Sequence, residues 1–217
     1  MKRSIFTLAL AAAMLIAAPS AHAALIRLLV NLSASNEVPP TNSQGTGVAG
    51  FILDTTADTL TGHIVFSGLN PLTAGGAASG TTAAHIHCCL ASPFLTGTNV
   101  GVATVTPAFP GFPIGVLSGM DDFILDLHPS LCTVGVAGPP CAYNTGAGQF
   151  FAVNGANSDT VFINGLLNGR TYLNIHTTAF PGGEIRGFVV VPEPMTASLI
   201  GLGLAAAAFV SRRRKPM

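Results

Sequence analysis

Short apolar stretches alternate with polar residues along most of the chain between Leu25 and Val191, and no long segment has helical periodicity. The stretches are rich in Val, Ile, Phe and Thr, and Gly, Asn and Pro separate them, which is typical of an all-β sandwich or barrel. The pattern predicts eight strands: Leu25–Ser33, Gly47–Asp54, Thr59–Leu69, Ala83–Cys88, Val100–Thr106, Asp122–Leu127, Arg170–His176 and Glu184–Val191.

Two local patterns complete this prediction. Residues 55–58 form a four-residue connection between the second and third strands, which predicts a hairpin. One short helix is expected over Asp159–Asn168, where Ser158 can cap the first turn and Gly169 can end the last.

Strand parity gives the fourth strand two different faces. His85 and His87 point to one side of a strand, and Ile86 points to the other. If the strand continues, Cys88 shares the side of Ile86 and faces the core. Cys89 then lies beside the two histidines.

The last two strands also have one polar row each. Tyr172, Asn174 and His176 share a side of the seventh strand, and Glu184 and Arg186 face away from the core in the eighth. If these strands are neighbours of the fourth, the polar rows converge. We interpret Glu184 and Arg186 most simply as a cross-strand or same-face ion pair, worth at most roughly 1 kcal/mol if exposed.

Charge excludes one class of partner. Between Ala24 and Val191 there are three basic residues and eight acidic ones, a net charge of −5, and most other basic residues lie at the two ends of the chain. A nucleic-acid-binding domain is normally basic, so we expect no nucleic acid partner.

The first 23 residues have the three parts of a secretory signal peptide. Basic Lys2 and Arg3 precede an apolar run, Ile5–Ala18, and the small-residue site Ala21-His22-Ala23 follows. We expect cleavage after Ala23 and export of the protein; the alternative is an N-terminal membrane anchor. An exported domain meets an oxidising compartment, where disulfides form.

Residues 192–217 have a second targeting pattern. Pro192-Glu193-Pro194 is followed by the apolar run Met195–Val210, which predicts a short transmembrane helix, and by the basic cluster Arg212–Lys215. This arrangement resembles the PEP-CTERM sorting signal of Gram-negative bacteria. The resemblance implies handling by an exosortase at the inner membrane and a final location in the periplasm, at the cell surface or outside the cell. An ordinary C-terminal anchor is the alternative.

Three separated motifs, in order along residues 24–191, resemble the CHRD domain. They are Leu32–Pro40, Ala84–His87, and the pair Gly169–Thr177 and Phe180–Gly187. The resemblance implies an extracellular β module whose biochemical activity is unsettled.

A His-x-His pair on one strand and a third histidine on a neighbouring strand can bind a transition metal. We predict such a site at His85, His87 and His176, with copper as the first choice and zinc as the second. The pattern is similar to the copper half of the copper-zinc superoxide dismutase sandwich, although in the expected mature chain only His63 and His128 remain for a zinc loop. Solvent-facing histidines that bind nothing are the alternative.

The fold expected from these patterns is an Ig-like or superoxide-dismutase-like antiparallel β-sandwich with one short helix. A C-terminal membrane-sorting helix is expected beyond it.

The four cysteines allow up to two disulfides. Cys132 and Cys141 flank the turn-rich Gly138-Pro139-Pro140, which favours a bridge between them. The pairing of Cys88 and Cys89 stays open: either can bridge to the later cysteines, or Cys89 can be a fourth metal ligand. A bridge between adjacent residues is disfavoured, since disulfides normally join α-carbons that lie farther apart.

The function that we predict is non-enzymatic. We expect a binding or structural protein of the cell envelope or exopolysaccharide matrix, whose partners are polysaccharide, surface proteins or a metal ion. The alternatives are a copper-dependent redox enzyme with dismutase-like geometry and a purely structural matrix protein without a metal.

Overall fold

A computed structural model describes residues 25–192 of the chain. Its strands form one seven-stranded antiparallel sheet in the order β4-β6-β7-β1-β2-β3-β5, which confirms the all-β prediction. The strands are β1 (Leu25–Ser33), β2 (Thr46–Asp54), β3 (Thr59–Ser67), β4 (Thr81–Cys88), β5 (Gly119–Asp126), β6 (Thr171–Thr177) and β7 (Ile185–Phe188).

Alternating side chains set the register of β1, β2, β3 and β5. Leu28 on β1 pairs with Phe51 on β2, and both are buried on the inner face. The hairpin predicted at residues 55–58 joins β2 to β3, where Asp58 adopts a left-handed φ of 46° and the Asp54 carboxylate accepts two backbone N–H groups. Asp tolerates this conformation better than most residues, which explains its position in the turn.

The predicted strand Val100–Thr106 is wrong as a continuous strand. Val102 and Thr104 make only isolated bridges to His87 and Tyr143. The N–H groups of Ala103 and Thr104 both reach the Ile86 carbonyl, so the backbone does not keep the regular spacing of a ladder.

Helical structure lies between β5 and β6. The predicted helix is present as α2 (Ser158–Leu167), one residue earlier than expected, and α1 (Phe150–Asn154) precedes it. Gly169 follows α2 with a φ of 63°, a value that favours glycine. Single 3-10 turns occur at Ala34–Asn36, Pro129–Leu131 and Gly155–Asn157.

One hydrophobic core joins all parts of the sheet. The Phe109 and Phe123 rings stack with centroids 4.2 Å apart, and Phe51 lies next to Phe123. Phe162 of α2 is fully buried in the same cluster as Ile86 of β4. The sheet therefore curls, so that its two ends enclose a common interior.

The outer face of the sheet has two different environments. On β2, β3 and β5 it is open, and Val48, Val65 and Met120 are exposed. On β4, β6 and β7 the same face is covered by three segments, residues 34–41, 98–100 and 179–183, which contact it through hydrogen bonds described below. Every residue of β6 is buried.

The terminal predictions fall mostly outside the described residues. The predicted signal peptide and the sorting tail beyond Pro192 lie there. Within residues 25–192, no helix is long and apolar enough to cross a membrane.

Candidate metal centre

His85, His87 and His176 meet on the covered part of the outer face. Strands β4 and β6 are antiparallel neighbours, and their register places Ala83 opposite His176 and His85 opposite Asn174. All three histidines therefore project from the same face of two adjacent strands. One ring nitrogen from each lies within 4.8 Å of the others.

The three rings are packed together and shielded from solvent. His85 is 6% exposed, His87 is 8% exposed and His176 is 9% exposed. The ring centroid of His85 lies 5.0 Å from that of His87 and 4.6 Å from that of His176. The alternation of polar and apolar residues on β4 is equally consistent with histidines that face solvent. Here the three covering segments shield the histidines from solvent.

Backbone carbonyls fix the tautomers of two rings. His87 Nδ1 donates to the Val100 carbonyl at 2.7 Å, and His176 Nδ1 donates to the Pro181 carbonyl at 2.9 Å. A carbonyl only accepts, so each proton must be on Nδ1, which leaves a lone pair on Nε2. Both Nε2 atoms, and Nδ1 of His85, are buried without a hydrogen-bond partner.

Burial keeps the three imidazoles uncharged. It lowers the pKa of His85 to about 3, with smaller contributions from His176 and His87. It lowers the pKa of His87 to about 4, where the Val100 hydrogen bond acts in the opposite direction, and it also lowers that of His176. Neutral imidazole is the form that binds metals, so protons compete little for these nitrogens near neutral pH.

Tyr172 and Arg186 extend the cluster along β6 and β7. The Tyr172 ring stacks on His87, with centroids 4.6 Å apart and planes at 10°. The Arg186 guanidinium carbon lies 4.5 Å from the Tyr172 centroid, a cation–π contact. This stack helps to fix the orientation of the His87 ring.

Glu37 and Asn174 are two further buried polar residues beside the histidines. Asn174 is 2% exposed and Glu37 is 4% exposed, and Asn174 Oδ1 and Glu37 Oε1 have no hydrogen-bond partner. Burial raises the pKa of Glu37 to about 7, although Arg186 and the Val38 N–H act to lower it.

The interpretation of Glu184 and Arg186 as an ion pair with each other is wrong. Both are buried, and each binds other groups. The Glu184 carboxylate accepts hydrogen bonds from Ser43, Thr177 and the Asn70 N–H. Arg186 donates to the Asn36 carbonyl and to Asn99 Oδ1. Loops that strand parity cannot reveal bring these partners to the two side chains.

The structure also corrects the assignment of Cys89. Strand β4 ends at Cys88, and Cys89 forms a disulfide with Cys88, so the expectation against a bridge between adjacent residues is wrong. The Cys89 sulfur is therefore no metal ligand. A Cβ added at Gly165 of α2 would lie 2.6 Å from one sulfur and 2.9 Å from the other. Both sulfurs therefore face α2, while Cys88 packs into the core as parity predicts.

The other cysteines and histidines lie apart from this cluster. Cys132 and Cys141 form a disulfide with an α-carbon distance of 4.8 Å. His63 is on the open outer face and pairs with Asp122, and the exposed His128 pairs with Asp126. Among the described residues, only His85, His87 and His176 form a cluster of at least three metal-binding side chains.

The chemistry of this cluster fits a transition metal ion. Three neutral imidazole nitrogens suit copper, zinc, iron or nickel. Metal–imidazole bonds of about 2.0–2.1 Å need ligand nitrogens roughly 3–4 Å apart, so a small contraction would complete the geometry. The carbonyls that hold Nδ1 of His87 and His176 act as the outer partners that orient ligands in metal sites.

Sequence reasoning did not assign Glu37 and Asn174 to the site. Glu37 is in the Leu32–Pro40 motif, but it precedes His85 by 48 residues, and the motif has no strand parity that would place it there. Asn174 shares a strand face with His176, and this parity was the one signal in the sequence that could have placed Asn174 at the site.

Comparison with known proteins gives one match. No curated protein matches the chain, and no solved structure matches it. The CHRD domain family matches residues 28–189, a span that includes the three histidines and all the segments that cover them. The chain therefore belongs to the CHRD domain family.

Proposed function

We propose that this protein is an exported, non-enzymatic binding or structural component of the cell envelope or extracellular matrix, whose CHRD domain binds a transition metal. His85, His87 and His176 are the proposed ligands, with copper as the first choice and zinc as the second. Membership of the CHRD domain family supports an extracellular binding or structural role. A sorting tail of the PEP-CTERM type and a polysaccharide or surface-protein partner belong to the same proposal.

The convergence of three buried, uncharged imidazoles is the observation that carries this proposal. A buried polar atom without a hydrogen bond costs roughly 1–3 kcal/mol, and each of the three histidines has one such nitrogen. One ring nitrogen of each also lies within 4.8 Å of the others. A bound metal ion would satisfy all three at once. The superoxide-dismutase-like sandwich stays part of the proposal, supported by the way the two ends of the curled sheet enclose one core.

Elemental analysis of the purified mature protein tests the metal site. We expect about one copper or zinc ion per chain in the native protein and in His63→Ala, and close to none in His87→Ala. His63 is the matched control because it is a histidine on the same sheet face, outside the cluster. A native protein without stoichiometric metal, or full retention in folded His87→Ala, would contradict the proposal.

A copper-dependent redox enzyme is the second candidate. Three protein ligands leave a coordination position for a small molecule, as in many catalytic metal sites, and the cluster has three. Superoxide turnover by the copper-loaded protein that disappears in His87→Ala would favour this candidate over binding alone.

A further inference from the structure

Unpartnered polar atoms are concentrated in one region of the described chain. Seven buried side-chain nitrogen or oxygen atoms have no hydrogen-bond partner, and three are the histidine nitrogens. Glu37 Oε1 and Asn174 Oδ1 are two others. The remaining two are on Asp121, at the opposite edge strand of the sheet, and on Thr171, which has the inward parity of β6.

Asn174 connects the histidines to Glu37. It lies opposite His85 in the β4–β6 ladder and two residues before His176 on the same face. A Cβ added at Gly183 would lie 2.6 Å from Asn174 Oδ1 and 2.8 Å from Glu37 Oε1. The Glu37 and Asn174 side chains therefore meet beneath the Gly183 backbone, where a larger residue would collide with both.

A cleft opens beside Glu37. It has a volume of about 520 Å³ and is lined by residues 37–42, Asn99 and residues 179–183. Glu37 and Gly183 are in its wall. Pro181, whose carbonyl holds His176 Nδ1, is there too. Going inward from solvent, the cleft thus comes first, then Glu37, then Asn174 and finally the buried histidine nitrogens.

The side chains between the cleft and the histidines suit a metal ion that moves inward from the cleft. A metal ion gives up water reluctantly, and a buried charge is costly unless other groups replace that water. Carboxylate and amide oxygens replace water as ligands at low cost. We propose that Glu37 and Asn174 form the uptake path by which a metal ion passes from the cleft to His85, His87 and His176.

This inference rests on the proposed metal-binding function and goes one step beyond it. Glu37 is a transient contact in this proposal and no permanent ligand, because it is outside the group whose ligand atoms lie within 4.8 Å of one another. Asn174 is assigned the same transient role beside it. Their loss should therefore change the rates of metal binding and release more than the affinity.

Stopped-flow fluorescence with Cu²⁺ tests the path. The chain has no tryptophan and two tyrosines, and Tyr172 stacks on His87, so Cu²⁺ at the histidines should quench its emission. We expect Glu37→Gln to slow Cu²⁺ uptake and chelator-driven release by about tenfold or more, with a Kd within about threefold of the native value. Glu37→Asp, which keeps a carboxyl group, should restore most of the rate.

Asp121→Asn is the matched control, because Asp121 is another buried carboxyl with an unpartnered oxygen. It should leave both rates unchanged. Native uptake rates in Glu37→Gln would overturn the path, and so would a weaker Kd with an unchanged uptake rate. A native protein that binds no Cu²⁺ would contradict the metal site itself, whereas stoichiometric binding with unaltered rates in Glu37→Gln would contradict only the path.

Discussion

His85, His87 and His176 are packed as neutral groups, and this costs the folded protein stability in acid. Burial is the largest cause of the lowered pKa at each of them. An unfolded histidine has a pKa of about 6.5. Between that value and the folded pKa, the unfolded chain binds protons that the folded chain does not bind, so unfolding is favoured as pH falls.

We expect the metal-free protein to lose stability between pH 7.5 and pH 5 because of His85. Its folded pKa of about 3 lies well below pH 5, so the loss from this one residue is about 2 kcal/mol. Urea denaturation of the native protein and of His85→Asn, at both pH values and with a chelator present, measures it. The native protein should lose about 2 kcal/mol more than the variant.

The comparison with His85→Asn is needed because Glu37 acts in the opposite direction. Burial raises the pKa of Glu37 to about 7, so the folded state holds a proton that the unfolded state loses. That contribution increases stability as pH falls and is common to both proteins, so it cancels in the difference. Equal pH dependence of the two would show that His85 titrates normally.

At the scale of elements, β7 connects the histidine-bearing strands to the central hairpins. It pairs with β6 over four residues and with β1 through Ser33 and Arg186. Gly187 makes this close approach feasible, since a Cβ there would collide with the backbone carbonyl of Asn31. Backbone cannot yield as a flexible side chain can, so the strand position is specific for glycine.

We expect Gly187→Ala to lower the free energy of unfolding by roughly 1–3 kcal/mol, the usual cost of overpacking. Gly50→Ala is the matched control, because Gly50 is also in a strand but a Cβ there meets nothing within 4 Å. That change should be neutral or slightly stabilising, as alanine is favoured over glycine within a strand. Equal effects of the two in urea denaturation would contradict the close-contact explanation.

For the molecule as a whole, the two disulfides have different consequences. A disulfide stabilises a protein mainly by restricting the unfolded chain, and the effect grows with the loop that it closes. Cys132 and Cys141 close a loop between residues nine apart, whereas Cys88 and Cys89 are adjacent and close none. Only the first should matter for global stability through chain entropy.

Replacement of both Cys132 and Cys141 by serine should lower the free energy of unfolding by about 2–3 kcal/mol under oxidising conditions. The measurement is urea denaturation of the native and doubly substituted proteins with and without a reductant. In reductant the difference should largely vanish, since the native disulfide is then open. If the full difference in the free energy of unfolding persists in reductant, the effect comes from lost packing of the buried Cys141 instead.

Local patterning by itself determined much of this protein. Alternation fixed β1 over Leu25–Ser33 and the hairpin at residues 55–58, because side-chain parity in a half-buried strand depends only on neighbouring residues. The same parity placed His85 and His87 on one face and identified His176 as the third histidine of the cluster. A helix near Asp159–Asn168 also followed from local signals, although it begins one residue earlier. The predicted capping residue Ser158 lies inside the helix, and its hydroxyl donates to the Gly155 carbonyl.

The tertiary structure alone decided whether those histidines face solvent or a buried site. Burial of β4 and β6 on both faces depends on segments at residues 34–41, 98–100 and 179–183, which are far from the histidines or outside any strand. Their contacts are irregular hydrogen bonds, most of them between a side chain and a backbone group, which leave no periodic trace in the sequence. For that reason strand parity could place three imidazoles on one face, but only the fold could bring Glu37 to them and exclude water.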